Sequence, residues 1–134
     1  ALSEPLRVTR SGGTLFVAYC LADASILQYG FFGGHIRELL EKQLLDPDTF
    51  AVRSTPAELF ELHRRQDIEA LNDGLPADRL HFAASDCLTR YSTAAVDAMD
   101  DDTYALYVKY CLSVCERPDL VGAANHALDI LRKR

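Results

Sequence analysis

Directly after Gly12-Gly13, the run Thr14-Leu15-Phe16-Val17-Ala18-Tyr19-Cys20 carries no charged side chain and no polar alternation. It is rich in residues that favour extended backbone. Such a run fits a strand covered on both faces, as in a parallel sheet with helices on either side. It is far too short to cross a bilayer as a helix. Two further stretches read as strands. Leu80-His81-Phe82-Ala83-Ala84 is one. In the other, His126, Leu128 and Ile130 alternate with Ala127, Asp129 and Leu131, which favours a strand over the helix that Leu128, Ile130 and Leu131 alone would also allow.

The intervening segments read mainly as helices and turns. Residues 2–9 read as the last turns of a helix, in which Pro5 fits only near a helix start. Ser11-Gly12-Gly13 is a turn. Residues 21–34 are mixed and aromatic, ending in Phe31-Phe32-Gly33-Gly34. Ile36, Leu39, Leu40 and Leu44 recur at helical spacing up to a stop at Asp46-Pro47, and Phe50-Ala51-Val52-Arg53 is a short extended piece. Thr55-Pro56-Ala57-Glu58 has the form of a capping box with proline at the first helical position. That helix runs to about Leu71, unbroken or with a break near Gln66, and Asn72-Asp73-Gly74 ends it. Residues 90–116 are helical again, with Asp100, Asp101 and Asp102 at a helix start, where the dipole favours negative charge. Tyr104, Tyr107, Cys111 and Cys115 share one face, and Pro118 ends the helix.

Composition excludes several classes. A chain of 134 residues, 49% hydrophobic and 25% charged, can bury a core and is neither disordered nor low-complexity. A formal charge of −6 argues against a nucleic-acid backbone as main partner. Arg64-Arg65 and Arg132-Lys133-Arg134 are short and usually mark solvated ends. No basic n-region precedes an apolar stretch as in a signal peptide. Cys20, Cys87, Cys111 and Cys115 do not form a disulfide framework, and His35, His63, His81 and His126 are scattered singly. The cysteines therefore read as reduced core residues rather than zinc ligands, which implies a cytoplasmic protein. The only methionine is Met99 and the chain starts at Ala1, so it reads as processed or as a piece of something longer.

The segment Leu6-Arg7-Val8-Thr9-Arg10-Ser11-Gly12-Gly13-Thr14-Leu15-Phe16-Val17 resembles the lead-in helix, Pro-Gly-Gly turn and fifth strand of class I S-adenosylmethionine-dependent methyltransferases. Gln28-Tyr29-Gly30, Leu45-Asp46-Pro47, Ser54-Thr55-Pro56, Val96-Asp97-Ala98-Met99-Asp100 and Cys115-Glu116-Arg117-Pro118-Asp119-Leu120-Val121-Gly122 resemble a bacterial, largely uncharacterised subgroup of that family. Ser11 stands where the family usually has proline, which matters little because Gly12 and Gly13 supply the turn. The resemblance covers essentially residues 1–134 but only the C-terminal half of the family's fold. It implies an α/β, partial Rossmann-like fold in which 14–20, 79–85 and 125–133 are the fifth, sixth and seventh strands. The seventh would run antiparallel between the other two. Residues 21–54 and 86–122 would be helical cap insertions at the carboxyl ends of the parallel strands, where ligands sit in open α/β sheets. It further implies a transferase acting on a small molecule, with the cap excluding water from the substrate.

The family holds S-adenosylmethionine with a Gly-rich loop after the first strand and an acidic residue ending the second. None of Gly12, Gly13, Gly30, Gly33, Gly34, Gly74 and Gly122 forms G-x-G, so no cofactor-binding residue is assigned and these residues alone are expected to be inactive. Gly33-Gly34-His35 reads as an anion cradle or, more often, only as a tight turn. The substrate-side candidates are Tyr19, Asp23, Gln28, Tyr29, Phe31, Phe32, His35, Tyr91, Tyr107 and His126. Aromatic faces stabilise a sulfonium, and His35 or His126 would serve as general base for a hydroxyl or amine acceptor. Each aromatic is more often core, and each histidine more often a structural hydrogen-bonder. Asp23 stands just past the first strand. The edge of 14–20 where the fourth strand belongs would be unpaired, which favours self-association. A different reading is a non-catalytic α/β module for oligomerisation or ligand sensing.

Overall fold

The structure, a computed structural model, describes residues 2–53 and 61–134. The capping box Thr55-Pro56-Ala57-Glu58 and the stretch Ser54-Thr55-Pro56 lie outside the described residues. The chain is mixed α/β. Four strands, β1 (Thr14–Leu21), β2 (Leu62–His63), β3 (Ala77–Ala84) and β4 (His126–Lys133), form one sheet in the order β2-β1-β4-β3. β4 is antiparallel to both β1 and β3, which therefore run the same way. The last strand thus lies between the other two long strands, antiparallel to each, as expected. β2 joins β1 in parallel only at Cys20↔Leu62 and Leu21↔His63. This fourth strand was not anticipated. It leaves most of the outer edge of β1 without a strand partner among the described residues.

One face of the sheet is packed. Tyr19, Leu21, Phe82, Ala84 and Ala127 meet Ile68 of α4 (Arg65–Asn72) and Val121 of α7 (Pro118–Val121). Ile68 is fully buried, and removing a side chain of that size from water is favourable by about 1.5–3 kcal/mol. Asp129, also fully buried, is held on this face by Arg79, whose Nε and Nη2 donate to its two carboxylate oxygens at 2.8 Å each. Asn72 Nδ2 donates to Asp129 Oδ2 at 2.6 Å, and Arg79 Nη1 donates to Glu69 Oε2 at 2.6 Å. These bonds tie α4 to the sheet. Burial opposes the Arg79 charge, but the bonds to Asp129 and Glu69 hold its pKa above the ordinary value.

The other face of β1 is bare. Exposure alternates along the strand, with Thr14, Phe16 and Ala18 exposed and Phe16 63% so. The expected covering of both faces is not found. Its apolar composition has a different cause. The inner residues Tyr19 and Leu21 enter the core, while the outer Phe16 and Ala18 pair with Ile130 and Leu128 on the opposite face of the sheet.

The helical segments also differ in detail from expectation. α1 (Ser3–Val8) leads into the turn at Gly12, whose φ of 72° suits a residue without a Cβ. α2 (Ala22–Ser25) runs straight into a π-helix, Ile26–Phe32, that no periodicity announced. α3 (Ile36–Glu41) stops well before Asp46-Pro47. Gln43 takes a left-handed φ of 57°, and Leu44 N–H bonds Leu39 C=O at 2.9 Å, a Schellman-type ending. Phe50 is left-handed too (φ 53°), so 50–53 is no continuous strand; only Val52 bridges, to Leu45.

In the described part of the expected helix up to Leu71, residues 62–63 are β2 and Arg64 is extended, so α4 begins at Arg65. Gly74 takes φ 73° after it, as Asn72-Asp73-Gly74 suggested. Beyond β3 come a short 3₁₀ turn (Thr89–Tyr91), α5 (Thr93–Asp97) and α6 (Asp101–Val114). Asp100 caps α6, accepting from Thr103 N–H at 2.7 Å. α6 ends before Pro118, which instead occupies the first position of α7. Among the described residues no helix is long and apolar enough to cross a membrane.

Candidate functional site

β1 and β3 deliver their carboxyl ends to the same side of the molecule, and β4 starts there. Three segments meet at this end: Ala22 onward, Ser85-Asp86-Cys87, and Asn125-His126. Asp86 is the hub. Its Oδ1 accepts from Asn125 N–H at 3.1 Å and His126 N–H at 3.3 Å, and its Oδ2 lies 2.9 Å from His126 Nδ1. A carboxylate only accepts, so Nδ1 carries the hydrogen. The Asn125 and Gln28 amides bond each other in both directions, at 2.9 and 3.1 Å. This joins the π-helix to the start of β4.

Asp23 sits beside this hub. Arg64 Nε donates to its Oδ1 at 3.0 Å, while Arg64 Nη2 donates to the carbonyls of Thr49 and Phe50 at 3.1 Å each. Tyr91 Oη donates to Ala123 C=O at 3.0 Å. Partial burial, and then the charges of Asp23 and Asp86, raise the Tyr91 pKa. The structure therefore brings Asp23, Gln28, Tyr91 and His126 together.

Next to the hub, a cavity of about 400 Å³ opens between α6 and the sheet. Its wall includes Ala83, Leu128, Tyr104, Tyr107 and Val108, with Asp86 and Cys87 at one end. Tyr107 Oη lies 2.6 Å from Thr89 Oγ1. Cys111 and Cys115 face the same cavity, as their shared helical face implies. Burial, then a hydrogen bond with Cys111, raises the Cys87 pKa. All four cysteines are free thiols, and no group of three or more His, Cys, Asp or Glu side chains among the described residues could hold a metal ion.

The other candidates lie elsewhere. Tyr19 points into the core against His63, edge to face at 5.6 Å, and its Oη is buried without a partner. Burial raises its pKa, and the Asp129 charge adds to this. Tyr29 and His35 stack at 4.2 Å, and His35 Nδ1 lies 3.4 Å from Glu38 Oε2. Phe31 packs near Phe50 at 6.2 Å, and Phe32 is largely exposed.

Sequence reasoning passed over Asp86, Asn125 and Arg64. Asp86 carries the same signal that singled out Asp23, a carboxylate just beyond the carboxyl end of a strand. No family model matches the sequence, and no curated protein does.

The described glycines do not form the Gly-rich cradle with which class I methyltransferases hold S-adenosylmethionine. Gly33 is a crowded turn rather than a cradle, since a Cβ there would meet its own segment's Tyr29 carbonyl at 2.6 Å. Gly12 precedes β1 instead of following a strand, and a Cβ on Gly12, Gly34 or Gly74 would meet only open space.

Proposed function

We propose that this chain is the C-terminal part of a class I S-adenosylmethionine-dependent methyltransferase of small molecules, contributing the acceptor side of the site and leaving the cofactor loop to residues outside it. The observation that carries the reading is the strand arrangement. A last strand lies antiparallel between two parallel strands, in the place the family gives its seventh strand between the fifth and sixth. The segments 22–53 and 85–124 leave the sheet at the end where such folds place ligands. Asp23, Gln28, Tyr91 and His126 gather there. In this reading the cap excludes water and orients the acceptor, work that depends on positioning more than on acid–base groups. The protein belongs in the cytoplasm, consistent with its free thiols.

Calorimetric titration of S-adenosylmethionine tests the proposal. It is run against this chain and against a version extended at its N-terminus by the upstream coding sequence. Binding to the extended protein alone is the expected result. Tight binding to this chain alone overturns the account of the cofactor site. Absence of binding to both overturns the enzyme reading and favours a non-catalytic α/β module.

A further inference from the structure

We infer that Cys87 and Cys111 are a thiol pair that a small-molecule disulfide such as oxidised glutathione converts into a Cys87–Cys111 disulfide, and that this bond locks α6 over the cavity beside it. The modification requires nothing of the cofactor site, so it stands apart from the methyltransferase reading.

Cys87, Cys111 and Cys115 all line the cavity of about 400 Å³ between α6 and the sheet. Cys87 lies in the loop after β3, Cys111 lies on α6 and Cys115 directly follows it. The loop is clamped to the helix at Thr89, whose Oγ1 is 2.6 Å from Tyr107 Oη. Cys87 stands two residues before Thr89, and Cys111 one helical turn beyond Tyr107 on the same face. That clamp sets the two thiols side by side, and they share a hydrogen bond. Cys115 is not the partner. Side chains four apart on a helix have Cβ atoms about 5–6 Å apart, and a disulfide needs about 3.5–4.5 Å, so Cys111–Cys115 cannot close without unwinding the turn. Cys115 Sγ donates instead to Leu112 C=O at 3.3 Å.

A covalent tie has a large effect here because α6 is lightly held. Of its residues only Val114 is buried, while Leu106 and Leu112 are 68% and 71% exposed. Besides the Thr89–Tyr107 contact, a backbone bond from Ala84 N–H to Cys115 C=O at 2.7 Å anchors its C-terminal end. A segment with so little buried side chain opens locally, and a link between residues 87 and 111 holds this wall of the cavity in place. Burial raises the Cys87 pKa, so Cys87 keeps its proton longer and Cys111 attacks first. The Cys111 thiolate breaks the S–S bond of the oxidant and releases one glutathione thiolate, leaving a mixed disulfide on Cys111. Cys87, as it loses its proton, attacks the Cys111 sulfur and releases the second glutathione. Two electrons and two protons pass from the cysteine pair to the two glutathione thiols.

The test incubates the full chain with oxidised glutathione and follows it by intact mass and non-reducing peptide mapping. The expected product is two hydrogens lighter than the reduced chain, carries the Cys87–Cys111 link and reverts with dithiothreitol. Cys115→Ser is expected to form the same link, and Cys87→Ser to stop at a glutathione adduct on Cys111. Amide hydrogen exchange across residues 101–114 is expected to slow about tenfold in the oxidised parent and to show no such slowing in Cys87→Ser treated in the same way. Glutathione adducts without the internal link, a link to Cys20 or Cys115 in its place, or an α6 exchange rate that oxidation leaves unchanged overturns the inference.

Discussion

Asp129 carries the most demanding interaction among single residues. A fully buried carboxylate is costly unless paired, and Arg79 pairs it in fork geometry while Asn72 adds a third bond. Arg79→Leu would leave that charge in the interior without its main partner. A loss of about 3–5 kcal/mol is expected. In urea unfolding, the midpoint should fall with the slope unchanged.

Asp46 makes the opposite kind of contribution, at the surface. Its Oδ1 accepts from Asp48 N–H at 3.1 Å and from Thr49 N–H and Thr49 Oγ1 at 2.9 Å each, and Arg53 pairs with Oδ2. The bonds from Thr49, chiefly its backbone N–H, lower the Asp46 pKa from 3.8 to about 2. A folded-state pKa below the unfolded one means the contribution is present above about 3.8 and is lost as pH falls through about 2. The melting-temperature gap between the parent and Asp46→Ala should therefore be constant near neutrality and close between those two values. A gap unchanged at the acid end would show that the carboxylate's charge is not what holds the turn.

Among elements, β1 has the most exposed chemistry. Among the described residues its outer edge pairs only at Cys20 and Leu21, and Phe16 stands exposed beside Ile130. A strand with an open edge and an apolar face is a template for pairing. The chain should self-associate, with its light-scattering mass rising with concentration, and Phe16→Lys should reverse this. A clean monomer at high concentration would count against the expectation.

Elements were legible where a segment's own pattern decides its state. Thr14–Cys20 and the alternation His126–Leu131 are strands in both sequence and structure. Legibility failed where tertiary contacts decide. The π-helix at 26–32 and the left-handed Gln43 follow from packing Ile26 against Leu39 and Leu45, which leaves no periodic mark. β2 exists only because β1 offers it an edge. Pro118 is a stop signal for one helix and a start signal for the next, and only the structure separates these roles. At the site, the rule that ligands lie beyond strand ends singled out Asp23 as a candidate, and His126 stands at the same end of the sheet. Asp86 carries the same signal, whereas Tyr19 became a candidate on aromatic character alone, although its strand position sends it into the core.

For the molecule as a whole, the apolar interior is divided. Ala22, Ile26 and Leu45 gather Ile36, Leu39, Leu40, Phe50, Val52 and Leu62 into one cluster, separate from the cluster under the sheet. The Arg64–Asp23 ion pair and the Gln28–Asn125 amide pair are polar ties between the segment 22–53 and the rest. A block with its own small core and polar moorings behaves as a separate cooperative unit, opening at less free energy than global unfolding. Amide hydrogens of residues 26–32 and 36–41 should then exchange together, ahead of those in β1 and β4, and Gln28→Ala should speed that shared phase while leaving the sheet's rates alone.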